Sequence, residues 1–207
     1  MARMSEIAVP TGSLVVLIGV SGAGKSTFAA RHFRPTQVLS SDAFRAIVAD
    51  DPADQHASPA AFELLHLAVR RRLERRRLTV VDATNVSQRA RRTLIAIART
   101  TRRPVVAIVL DPPLATALTR NARRTDRTVS PDVIARQSME LIRTASTDDD
   151  LRSEGFSAVH RLTDPDAVTR LLAIRAGGRD QGGGTTAEPG TIPTRPAHRA
   201  RVRRTDR

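Results

Sequence analysis

The residues Ser13-Leu-Val-Val-Leu-Ile18 run straight into Gly19-Val20-Ser21-Gly22-Ala23-Gly24-Lys25-Ser26, a complete G-x-x-x-x-G-K-[ST] sequence. An apolar run without alternation reads as a strand buried on both faces, and such strands belong to parallel sheets covered by helices. The loop must then leave a strand and open a helix, which the residues from about Lys25 to Phe33 supply. Lys25 is the only lysine in the chain, since the other 33 of its 34 basic side chains are arginine. A chain that writes arginine everywhere else has kept a slender point charge at the one position where a planar guanidinium is too wide.

That loop carries the first chemistry. Backbone N–H groups from Ser21 through Gly22, Ala23, Gly24 and Lys25 to Ser26 are placed to surround a triphosphate at a helix N-terminus. Gly19 makes the turn possible, Lys25 neutralises β/γ-phosphate charge, and Ser26, with Thr27 as its neighbour, is the expected Mg²⁺ ligand. The expected cofactors are therefore ATP and Mg²⁺. A guanine-reading N-K-x-D motif needs a second lysine, and the chain has none.

Further along, strand and helix patterns alternate. Strands are expected at Gln37–Ser40, Leu78–Asp82, Pro104–Leu110 and Phe156–Leu162. Helices are expected from Ser41 to about Val48, at Pro59–Arg77, Ser87–Thr101, from Pro112 to about Arg123, from Ser130 to about Ala145, and at Pro165–Arg175. The expected fold is α/β, a phosphotransferase built on a central parallel sheet of four or five strands flanked by helices, with a helical lid bearing arginines. Residues 1–175 form the expected domain. From Ala176 the periodicity stops, and nine of the last 32 residues are Gly or Pro, so 176–207 is expected to be a disordered basic tail.

Composition narrows the function. The net charge of +13 favours polyanionic partners, nucleic acid first. Five Phe with no Trp or Tyr exclude a broad base-stacking platform. The absence of cysteine excludes disulfides and thiolate chemistry and fits a cytoplasmic location. The N-terminal residues lack a secretory pattern, and Leu14–Ile18 is far too short to span a bilayer, so no membrane association is expected.

Three other groups stand out. Asp42 and Arg45 lie three apart at a helix start just beyond a strand end, where α/β folds bind their ligands. An aspartate there can accept the proton of an attacking hydroxyl, and the arginine can hold an acceptor's phosphate. The same pattern also serves as a plain helix cap with a surface arginine. Asp82 ends a buried strand, the usual place for a carboxylate in the Mg²⁺ shell. Arg120, Arg123, Arg124 and Arg127 bunch between two helices, either as lid arginines or as a solvated charge run.

Taken together, residues 19–28, 40–45, 50–55, 61–66, 78–86 and 120–127 resemble the kinase module of bacterial polynucleotide kinase-phosphatases, over roughly residues 11 to 147. The resemblance implies a 5′-OH polynucleotide kinase acting on an RNA or DNA end. It implies Lys25 and Ser26 on ATP and Mg²⁺, Asp42 as general base, Arg45 on the acceptor phosphate, and Arg120 and Arg124 on the donor phosphates. It assigns nothing to Asp54, Gln55 or His66. Larger members of that family continue into phosphatase and adenylyltransferase domains, for which this chain lacks the length. Such activities would come from separate partners. A small alcohol (a nucleoside, sugar or antibiotic hydroxyl) is an alternative acceptor, and a nucleic-acid-binding ATPase without transferase activity is a third reading.

Overall fold

The computed structural model describes residues 6–124, 128–164, 166 and 173–177. In chain order the strands are β1 (Glu6–Pro10), β2 (Leu14–Ile18), β3 (Val38–Ser40), β4 (Thr79–Asp82), β5 (Val105–Leu110), β6 (Ala158–Leu162) and β7 (Ala173–Gly177). The helices are α1 (Lys25–His32), α2 (Ser41–Ala49), α3 (Ser58–Glu74), α4 (Gln88–Thr100), α5 (Leu114–Ala122), α6 (Pro131–Ala145) and α7 (Asp148–Glu154). Five strands form one parallel sheet in the order β3-β4-β2-β5-β6, so the expected central sheet and its flanking helices are present.

The middle strand, β2, explains why that run carries no polar residue. Leu14, Val16 and Ile18 point into a core shared with α3, α4 and the later helices, through Leu65, Val69, Leu94 and Leu141. Val15 and Leu17 point the other way, onto Phe28 and Ala29 of α1 and onto Ile7 and Val9 of β1. Each face is thus fully covered, and every residue of β2 is buried. Parallel strands bring their carboxyl ends to one edge, which puts Ile18, Ser40, Asp82 and Leu110 side by side.

Two elements lie outside the sequence expectations. β1 and β7 form a separate two-stranded parallel sheet, with Glu6 opposite Ala173 and Pro10 opposite Gly177. The helix expected at Pro165–Arg175 is therefore replaced by a strand over its last residues, and 167–172 lie outside the described residues. The strand needs a partner from the other end of the chain, which no local pattern discloses. It also takes in the first two residues of the expected tail, Ala176 and Gly177; the rest, 178–207, lies outside the described residues. α7 was likewise not expected. It is set by a capping box in which Thr147 Oγ1 accepts from the Asp150 N–H (3.1 Å) and the Asp150 carboxylate accepts from the Thr147 N–H (2.8 Å). Among the described residues no helix is long and apolar enough to cross a membrane.

One polar group lies in the middle of this apolar packing. Arg91, in the first turn of α4, is 0% exposed. Its Nε and Nη2 donate to the two oxygens of Glu154 (2.8 and 2.6 Å), and its remaining donors reach the carbonyls of Asn85, Val86 and Thr144. With both side chains out of water, removing one leaves an unanswered buried charge, which costs about 3–5 kcal/mol. Glu154→Ala is therefore expected to lower the unfolding free energy by about that amount in urea denaturation. A loss under about 1 kcal/mol would show that water reaches the pair.

Candidate phosphate-transfer site

The loop after β2 turns sharply because glycine occupies the positions where a side chain has no room. Gly22 has φ +81°, and a Cβ there would run into the Ala117 carbonyl oxygen of α5; at Gly19 it would run into that of Leu110. The Gly19 N–H donates to Thr84 O at 3.0 Å, which ties the loop's start to the end of β4. Lys25 is buried, and its Nζ donates to the loop carbonyls of Gly19 (2.9 Å) and Val20 (2.8 Å). The Ser21 N–H donates to Oε1 of Gln137, on α6, at 2.8 Å.

In front of this loop lies a cleft of about 650 Å³. From the loop it is lined by Ser21, Gly22, Gly24, Lys25, Ser26 and Thr27. Gly19 and Ala23 do not line it: Ala23 is fully buried beneath the loop, and Gly19 packs on Leu110. From the other elements come Asp42 and Arg45, Asp82, and Arg120 and Arg124. The structure thus gathers eleven of the thirteen expected residues around one space and uses the other two to shape the loop.

Asp82 ends β4, paired through Leu17 with β2 and through Ser40 with β3. Burial pushes its carboxyl up from the ordinary range, against the opposing pull of the Lys25 charge and a hydrogen bond from Ser26. The negative Asp42 adds to the rise, and the positive Arg124 opposes it. Asp42 follows β3 by two residues and so stands at the next position along the same sheet edge. Arg45 is 4% exposed, forms an ion pair with Asp42 Oδ1, and donates from Nε to Pro52 O at 2.8 Å. The guanidinium is thereby fixed at both ends, and it in turn orients the Asp42 carboxylate.

The arginines late in the chain arrive on α5. Arg120 Nη1 donates to Ala23 O at 3.4 Å, across the top of the phosphate loop. Arg124 lies just past the helix end, half-buried beside the cleft. Asn121 is bonded to Val129, just before α6: Nδ2 donates to Val129 O (2.7 Å) and Oδ1 accepts from the Val129 N–H (3.1 Å). Arg123 is exposed, and Arg127 lies outside the described residues.

Sequence reasoning passed over Gln137, Ser58 and Phe62, which also line the cleft, and left Gln55 there without a role. Gln137 gives no sequence signal, because α6 is amphipathic throughout and one glutamine on it looks like any surface residue. Phe62 also borders a smaller cavity of about 360 Å³ between α3 and α4, where His66 lies. Asp54 turns away to accept from the His56 N–H at 2.8 Å.

Among the described residues no group of three or more His, Cys, Asp or Glu could hold a metal. A hydroxyl and one carboxylate, Ser26 and Asp82, instead adjoin the phosphate cradle. That donor set suits a Mg²⁺ that takes its other ligands from phosphates and water. A buried strand, its glycine loop, the helix that follows and an adjacent strand-end carboxylate define a P-loop nucleotide-binding protein with a kinase-like fold. The chain belongs to the AAA_33 family, described as an AAA domain, whose profile matches residues 14–146.

Among solved structures it is similar to a chain of the Pnkp1/Rnl/Hen1 RNA repair complex, with 22% identity and a TM-score of 0.57 over 70% of this chain and 48% of that one. It is also similar to a sugar kinase from Janibacter sp. HTCC2649, with 20% identity and a TM-score of 0.50 over 77% and 90%. The chain therefore spans about half the length of the first of these. At such identities the likeness is one of fold. No curated protein matches the chain.

The raised Asp82 carboxyl has a measurable sign. Because the folded value lies above the unfolded one, the ionised carboxylate opposes folding at neutral pH, and the penalty disappears as pH falls through the folded value toward the ordinary one. Asp82→Asn is expected to raise the thermal midpoint of the nucleotide-free protein at pH 7, with the gain shrinking on acidification. A gain of equal size at both ends of the titration would show that the charge is not its source.

Proposed function

We propose that this protein transfers the γ-phosphoryl group of ATP to the 5′-hydroxyl of an RNA or DNA end. The observation that carries the reading is the Asp42–Arg45 pair, held at the sheet edge beside Asp82 and opening into the same cleft as Lys25 and the loop amides. That arrangement offers a proton acceptor facing a phosphate cradle across a space large enough for both reactants.

In the proposed reaction the acceptor oxygen attacks the γ-phosphorus while Asp42 takes its proton. The bond from the γ-phosphorus to the β–γ bridging oxygen breaks, and ADP leaves. Lys25 exchanges its loop carbonyls for phosphate oxygens. Arg120 and Arg124 meet the charge that develops on the transferring group. Ser26 and Asp82 would hold Mg²⁺, which when bound neutralises phosphate charge. The kinase-like fold supports phosphoryl transfer, and the chain's +13 charge and the motif resemblance favour a nucleic-acid end as the acceptor.

A small alcohol is the competing acceptor, and one observation favours it. Arg45 spends donors on Asp42 and Pro52 within the protein, whereas an acceptor phosphate would have to draw them away. The experiment supplies ATP labelled at the γ position to a 5′-OH oligonucleotide. Label is expected on the oligonucleotide, and Lys25→Arg or Asp42→Ala is expected to reduce the rate by about 100-fold or more. An unlabelled oligonucleotide alongside a labelled small alcohol would transfer the assignment to the second reading. Nucleic-acid-stimulated ATP hydrolysis with no transfer would overturn both.

A further inference from the structure

α3 and α4 end in the same way, and at both ends the chain has put arginine where glycine is the natural choice. At the end of α3 the Arg76 N–H donates to Leu73 O (2.9 Å) and the Arg77 N–H to Arg72 O (2.9 Å). At the end of α4 the Arg102 N–H donates to Arg99 O (3.0 Å) and the Arg103 N–H to Ala98 O (2.9 Å). These are two Schellman turns with identical hydrogen bonding. Such a turn needs a left-handed residue at its apex, and here Arg76 (φ +53°) and Arg102 (φ +55°) take that position. Glycine adopts it without strain and arginine does not. Basic side chains do favour helix C-termini, but that preference is met anywhere in the last turn and does not call for the apex.

The two turns also share one place in the fold. Arg76-Arg77 leads into β4 and Arg103 into β5, and these strands flank β2 on either side: Leu14 pairs with both Thr79 and Val105. The two arginine pairs thus lie two strand spacings apart, about 10 Å, along the amino edge of the sheet. Arg76, Arg77 and Arg102 are exposed and Arg103 is half-buried, while Arg75 and Arg99 extend the same surface. Glu74 lies nearby and is engaged by Arg71 at 3.2 Å. The phosphate loop leaves the opposite edge, about 17 Å away along β2. β7 ends at the amino edge as well, with Gly177 opposite Pro10.

We infer that this edge is a second nucleic-acid site, separate from the cleft, that binds the phosphate backbone of a double-stranded or folded segment. Arginines carried on two backbone turns about 10 Å apart can each meet a separate phosphate of one polyanionic backbone. The aromatic residues needed to stack exposed bases are scarce, with no Trp or Tyr in the chain, so contact with the backbone is the recognition open to it. The site does not depend on the acceptor assigned to the cleft, because its readout is binding and not transfer.

The test uses the full chain and a fluorescently labelled 20-base-pair duplex, RNA and DNA in parallel, titrated by anisotropy across a salt series. Arg76→Gly with Arg102→Gly is expected to weaken binding about tenfold at low salt and to make the log–log salt slope shallower by about 2. The same double variant relieves both left-handed arginines, so its thermal midpoint is expected to hold or rise, which separates lost binding from lost folding. Arg77→Gln with Arg103→Gln is expected to weaken binding equally without touching the turn apex. Affinity of a fluorescent ATP analogue is expected to be unchanged in both. Unchanged duplex affinity and slope in both variants would overturn the inference. So would tighter, variant-sensitive binding to anionic vesicles or to an acidic peptide than to the duplex. If wild type fails to phosphorylate any oligonucleotide yet the variants lose duplex binding, the cleft assignment falls and this one stands.

Discussion

Four segments meet on the guanidinium of Arg91, and the geometry of the cleft depends on their staying there. The arginine closes α4 onto Glu154 of α7, reaches across to Thr144 of α6, and holds the carbonyls of Asn85 and Val86 just beyond β4. Asn85 then donates from Nδ2 to Leu17 O at 2.7 Å, which carries the restraint onto β2 beside the phosphate loop. A wholly apolar cluster of the same volume would be at least as stable. It would not specify where the end of β4 lies, and Asp82 is at that end.

The cleft meets its strong charges with its own backbone and side chains. Lys25 spends its ammonium on the Gly19 and Val20 carbonyls, the Ser21 amide takes the Gln137 oxygen, and Arg45 grips Asp42. A ligand entering the cleft would have to displace these partners. Buried polar groups left unanswered are costly, so such placeholders keep the loop in a receptive shape. They also mean that binding energy is a difference between two satisfied arrangements.

Much of this could be read from the sequence where the cause is local. The β2 run, the glycine loop and its helix follow from short-range pattern, and so do Asp42 and Asp82 as strand-edge carboxylates, since Asp82 ends an apolar strand and Asp42 follows one by two residues. What escaped notice depends on distant partners. β7 exists through β1, Gln137 matters only because α6 folds back over Ser21, and Glu154 looks like one more acid in an acidic stretch until Arg91 is found against it. α7 escaped for another reason. Asp148-Asp149-Asp150 hides a helix start, because a run of acids reads as a loop unless the Thr147 capping box is recognised. Arg76 and Arg102 blend into an arginine-rich background, and only their backbone angles set them apart.

The pairing of β1 with β7 joins residues near the two ends of the described chain, residue 6 facing residue 173. During synthesis β1 must wait for a partner encoded 167 residues later, since residue 6 faces residue 173. Throughout that interval Ile7 and Val9, buried in the finished fold, can cover the side of β2 they belong to but cannot complete a sheet. The phosphate loop and its strands can close from residues made much sooner. The strand pair therefore closes after the elements that build the cleft have been made, and until then one strand edge stays open.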